Sequence, residues 1–182
     1  MSRLLTSLFG LSLSSLVCAA GFTVSSPDIT NGGQLKSAQV FNGFGCEGGN
    51  IAPALSWSGE PAGTRSFAVT VYDPDAPTGS GWWHWQAVNL PATTHALPAG
   101  SGQKTGPALP AGAMQTRNDY GQAEFGGACP PKGDKPHRYI VTVWALKVDK
   151  LDLPADASAA LVGYNLNANA LDKAVMTAKY GR

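Results

Sequence analysis

Ser66-Phe67-Ala68-Val69-Thr70-Val71-Tyr72-Asp73-Pro74-Asp75-Ala76-Pro77 is the stretch on which the fold turns. Phe67, Val69 and Val71 share one face of an extended chain, and Ala68, Thr70 and Tyr72 share the other. Both faces are largely apolar, so the spacing predicts a strand inside a sheet that is covered on both sides. Asp73-Pro74 stops it, because proline brings no ladder N–H.

Working outward, Trp82 to Leu90 reads as a second strand. Trp82, His84, Gln86 and Val88 have one parity, and Trp83, Trp85 and Ala87 the other. Tyr139 to Leu146 is a third strong strand, with Tyr139, Val141 and Val143 on one face. Phe22 to Ile29 and Ala54 to Trp57 read as shorter strands, with Asn31-Gly32-Gly33 a turn between them. Phe41 to Asn50 and residues 92–118 read as loops. Helix signals are confined to the tail. Asp156 or Ser158 can cap a helix through Val162, closed by Gly163, and Asn167 a second through Val175. The expected class is mainly β, with short helices at the C-terminal end.

The first twenty residues differ from the rest. Arg3 precedes an uncharged, mostly apolar run from Leu4 to Val17, followed by Cys18-Ala19-Ala20-Gly21. This is the pattern of a secretory signal peptide cleaved after Ala20. The run is short and serine-rich for a bilayer span, and Val17 is bulky for a lipoprotein site at Cys18. The protein is expected to be secreted, with the periplasm as its compartment. The domain is then 21–182.

Removing Arg3 from the 13 Lys and Arg leaves 12 against 12 Asp and Glu. A neutral chain has no global field to attract nucleic acid or an anionic membrane, so no nucleic-acid partner and no stable membrane insertion are expected. Cys46 and Cys129 remain. In an oxidising compartment such an isolated pair is most simply a disulfide, with two free buried thiols as the alternative. Neither has a CxxC partner, so a zinc site has no support.

Three histidines are present. His95 lies in a polar segment and is expected to be solvated. His84 and His137 lie in or beside apolar strands, where an imidazole needs partners. Asp73 ends an apolar strand. These residues and Tyr139 are far apart in sequence, and periodicity does not bring them together. Asp73 can equally cap its own turn, with each histidine satisfied by nearby backbone. If they do converge, they suit an anion pocket, with Asp73 orienting a histidine. Two His and a carboxylate are also a known set for iron. Nothing in the sequence fixes the geometry of such a metal set, and hydrolysis lacks a G-x-S-x-G elbow and a serine or cysteine with an evident base.

Asp73-Pro74-Asp75-Ala76-Pro77 with Trp82-Trp83-His84-Trp85, and Gly126-Gly127-Ala128-Cys129-Pro130-Pro131-Lys132-Gly133 with Pro136-His137-Arg138-Tyr139, resemble the two motifs of the phosphatidylethanolamine-binding protein family, also called Raf kinase inhibitor-like. Cys46-Glu47-Gly48-Gly49-Asn50 and Arg117-Asn118-Asp119-Tyr120-Gly121 resemble its bacterial branch, the YbhB/YbcL type. Ala128 departs from the proline common in that branch. The resemblance implies two antiparallel sheets and a small pocket for phosphate or a phospho-headgroup, lined by Asp73, Pro77, Trp82, His84, Gly127, His137 and Tyr139. It gives Asp75 and Arg138 scaffold roles. It implies a binding protein without cofactor or metal rather than an enzyme. Inhibition of a protease or other enzyme through a protein partner is the alternative, with 92–118 as a contact surface.

Overall fold

The computed structural model describes residues 21–182. The expected leader lies outside them.

Ser66–Asp73 (β5) is an eight-residue strand with seven residues buried. It sits in the middle of a five-stranded antiparallel sheet, between Trp82–Pro91 (β6) and His137–Leu146 (β9). The outer positions are Met114–Gln115 (β8) beside β6 and Ala170–Tyr180 (β10) beside β9. A second sheet joins Thr23–Ser25 (β1), Leu55–Ser58 (β4) and Ala96–Leu97 (β7). Asn42–Gly43 (β2) and Cys46–Glu47 (β3) make a small hairpin.

The alternation of β5 sets the two cores. Phe67, Val69 and Val71 face the three-stranded sheet, and pack with Leu55, Trp57, Leu97, Val141, Val143 and Met176. On the other face Ala68 joins Val88, Trp144, Leu146, Val162 and Leu166 under an α-helix. A strand buried on both faces has to be apolar on both, as its sequence shows.

That helix, Ala159–Asn169 (α1), corrects the expectation for the tail. Ser158 caps it, its hydroxyl accepting from Leu161 N–H at 3.3 Å. It does not end at Gly163, which has open space around it and does not have a positive φ. A mid-helix glycine costs about 1 kcal/mol relative to alanine, which burial of Val162 and Leu166 against the sheet offsets. Asn167 caps no second helix; its side chain donates back to Gly163 C=O at 2.8 Å. Residues 170–180 are instead a strand, pairing Ala174 with Val143 and Met176 with Val141. Sheet pairing with β9 overrides the weak local helix preference.

Other boundaries also shift. The first strand is only Thr23–Ser25, because the Ser26 hydroxyl accepts from Asp28 and Ile29 N–H and turns the chain. The segments read as loops hold β2, β3, β7 and β8, strands of two residues each that are too short to show periodicity.

Candidate ligand-binding site

Asp73 ends β5 and is 3% exposed. Its Oδ1 accepts from Asp75 N–H at 2.8 Å and Ala76 N–H at 3.2 Å, closing the turn at Pro74. Its Oδ2 lies 2.7 Å from Nδ1 of His137, the first residue of β9. The two alternatives for Asp73 are therefore both realised: one oxygen caps the turn and the other holds a histidine. The far nitrogen of His137 lies 3.4 Å from the Asp134 carboxylate. Two residues on, Tyr139 faces the same side, with its ring edge-on to His84 at 5.2 Å. Burial pushes the Tyr139 hydroxyl well above the usual phenol range, so it stays protonated.

His84 reaches this side through a bulge. Val71 pairs with Trp85 and Tyr72 with Trp83, so His84 is the extra residue of β6. The simple parity of β6 fails there: His84 contacts Tyr139, yet Trp85 and Ala87 also face the core shared with Tyr139. His84 Nδ1 lies 2.7 Å from Gly126 C=O, so Nδ1 carries the hydrogen and donates it. Its Nε2 is buried without a partner, as is Nε1 of Trp82. Burial holds the His84 imidazole below its ordinary pKa, against the raising effects of the Gly126 carbonyl and Asp73.

These side chains open on a cavity of about 220 Å³ lined by Asp73, Pro77, Trp82, His84, His137 and Tyr139 among others. Gly127 is the expected residue that does not line it. Its N–H donates to Asn50 Oδ1 at 2.7 Å, and its carbonyl accepts from Tyr120 O–H at 2.9 Å. A Cβ there would lie 2.5 Å from Gln39 C=O, so close backbone packing calls for glycine. Gly127 supports the wall from behind.

Sequence reading did not assign Tyr120, Phe44 or Cys129 to the cavity, and all three line it. Tyr120 stacks on Phe41 with ring centroids 4.1 Å apart and meets Trp82 edge-on at 5.2 Å. The signal was its place in the segment 117–121, which the resemblance marked without a role. Phe44 stands at the tip of the β2–β3 hairpin with φ 54°, and is 72% exposed. Gly45 beside it has φ 76°, so the two residues form the tight two-residue turn whose central positions both need a left-handed φ, and the Phe44 ring packs on Phe41 and Tyr120. Cys129 is bonded to Cys46, which excludes the free-thiol alternative and pins the hairpin to the segment before β9.

The flanking charges hold the loop. Arg138 Nε and a terminal nitrogen donate to the two oxygens of Asp75 at 2.8 and 2.7 Å, holding the Asp75 carboxyl down at about 2. His95 stands apart, half-exposed and 2.9 Å from Glu60, whose hydrogen bond raises its pKa. Among the described residues no group of three His, Cys, Asp or Glu side chains is placed to hold a metal ion.

A sequence model of the phosphatidylethanolamine-binding protein family matches residues 25–181. The chain belongs to this family. Within it, the chain is 61% identical to YbcL of Escherichia coli over 162 residues, covering 89% of this chain and 88% of YbcL. It is 52% identical to E. coli YbhB, covering 85% of this chain and 97% of YbhB. The crystal structure of YbcL, described as a new member of the mammalian PEBP family, superposes with a TM-score of 0.87 at 60% identity, over 90% of this chain and 99% of that one. The family's fold extends to a homologue from Chlamydia trachomatis at 24% identity and a TM-score of 0.74. No helix among the described residues is long and apolar enough to cross a membrane.

Proposed function

We propose that this PEBP-family protein is a binding protein of the periplasm that holds a small anionic group, a phosphate or phospho-headgroup, and catalyses no reaction. The observation that carries this is the convergence of Trp82, His84, His137 and Tyr139 on one cavity beside Asp73. Trp82 N–H and Tyr139 O–H are neutral donors on buried or half-buried side chains, and such dipoles can hold an anion without a lysine or arginine. Asp73 acts as an orienter. Its acceptors are occupied by two backbone N–H groups and His137, so it fixes that ring.

Titration of the purified protein with inorganic phosphate and phosphoethanolamine, followed by NMR of the histidine ring signals, tests the reading. His84 and His137 signals should move at millimolar ligand, and His84→Ala should bind at least about tenfold more weakly, as expected for loss of a buried polar contact. Unmoved signals, or equal binding by His84→Ala, would sink it.

A further inference from the structure

The polar atoms of this cavity also specify the protonation state of what it holds. Resting on the anion reading above, we infer that the site selects a phosphomonoester in its singly protonated form, with the ligand's own P–O–H donating to His84 Nε2.

His84 is fixed by its other nitrogen. With Nδ1–H committed to Gly126 C=O at 2.7 Å, the neutral ring has only a lone pair at Nε2. That nitrogen is buried and has no protein donor. An anion oxygen without a hydrogen would meet it lone pair to lone pair. An acidic O–H satisfies it.

The surrounding charges point the same way. Asp73 faces the site from the end of β5, and Asp119 adds a second carboxylate near His84. From β9 come His137 and the protonated Tyr139, and from the 117–121 segment the Tyr120 ring. Asp134 lies beyond His137. Among the described residues no lysine or arginine lines the cavity. A second negative charge on the ligand would therefore be placed near carboxylates without a lysine or arginine to offset it. Burial adds to this by holding the His84 ring neutral, so the ring does not bring the proton itself.

A ligand with one negative charge and an acidic O–H meets these conditions. A phosphomonoester monoanion has one O–H for Nε2 and further oxygens to accept from Trp82 Nε1–H, the other buried atom without a partner on a residue of this lining. A phosphate dianion lacks the O–H. A sulfate monoester has the single charge and again lacks the O–H.

The test is calorimetric binding of methyl phosphate and methyl sulfate to the wild-type protein between pH 6 and 8. The second phosphate pKa is about 6, so methyl phosphate should bind about tenfold more weakly for each pH unit above that. Repeating the titration at pH 7.5 in buffers of different ionisation enthalpy should show uptake of close to one proton per ligand. Methyl sulfate should bind at least about tenfold more weakly than methyl phosphate at pH 6, for want of the O–H. Methyl phosphate affinity that is flat from pH 6 to 8 would overturn the inference and leave the anion reading standing. So would methyl sulfate binding as tightly with the same pH slope, which would assign the proton to a protein side chain. Binding of neither ester at any pH would remove both.

Discussion

Asp73 and His137 meet across the ends of β5 and β9, with Oδ2 2.7 Å from Nδ1 and each side chain 4% exposed. The same carboxylate closes the turn after β5 through its other oxygen. One side chain thus ties the local turn to the geometry of the cavity.

Asp73→Asn keeps the size of the side chain but removes the charge that holds His137. The variant should lose about 1–3 kcal/mol of stability, the cost of weakening a buried charge-assisted hydrogen bond. Phosphate affinity should fall with it. Urea unfolding and a phosphate titration check the two effects separately. A variant of wild-type affinity would show that the orientation of His137 is immaterial.

The disulfide closes an 83-residue separation and anchors the Phe44 hairpin at the cavity rim. Replacing Cys46 and Cys129 together by serine should cost about 4 kcal/mol, mainly by releasing the unfolded chain. The same variant should bind phosphate more weakly because Phe44 is no longer held at the rim. Denaturant midpoints of oxidised and variant protein, at matched slopes, measure the first effect.

Gly127→Ala should be far more damaging than its size suggests. The added carbon would press on Gln39 C=O and Phe41 N, which are backbone atoms. A loss of about 1–3 kcal/mol is expected for overpacking of this kind. Tyr120, whose hydroxyl bonds to the Gly127 carbonyl, should shift with it. Its NMR ring signals report that displacement. Gly133→Ala, with open space around the added carbon though a left-handed φ of 87°, is the control for strain without a clash.

The pH dependence of stability follows from His84. Its folded pKa lies below the ordinary 6.5, so between those values the unfolded state binds more protons. Its contribution is complete above pH 6.5 and declines as pH falls below it. Asp75 adds a second step lower down. Its carboxyl is held at about 2 against 3.8 by Arg138, so its contribution is present above about pH 4 and is lost as pH falls toward 2. Stability measured from pH 8 to 3 should fall first below 6.5, and His84→Gln should remove that first decline. An unchanged profile in the variant would contradict the assignment.

The central strands were legible because their burial repeats every second residue. Ser66–Asp73 lies between β6 and β9, and its two apolar faces say as much in sequence. The tail was not legible. Gly163 and Asn167 look like helix boundaries locally, and only pairing with β9 makes 170–180 a strand. In the cavity, Asp73, His84, His137 and Tyr139 stood out as polar groups on apolar strands. Their meeting was not readable from periodicity, and the bulge at His84 breaks the parity that would place it. The family resemblance supplied the convergence, and it placed Gly127 on the lining where the structure puts it behind the wall. Tyr120 and Phe44 come from segments without strand periodicity, and only tertiary packing brings them to the rim.

A crystal structure of the protein soaked in methyl phosphate at pH 6 tests the central claim most directly. Density is expected in the cavity, with one ligand oxygen within hydrogen-bond distance of His84 Nε2 and another of Trp82 Nε1. An empty cavity at saturating ligand, or density only outside the residues around Asp73 and His137, would contradict it.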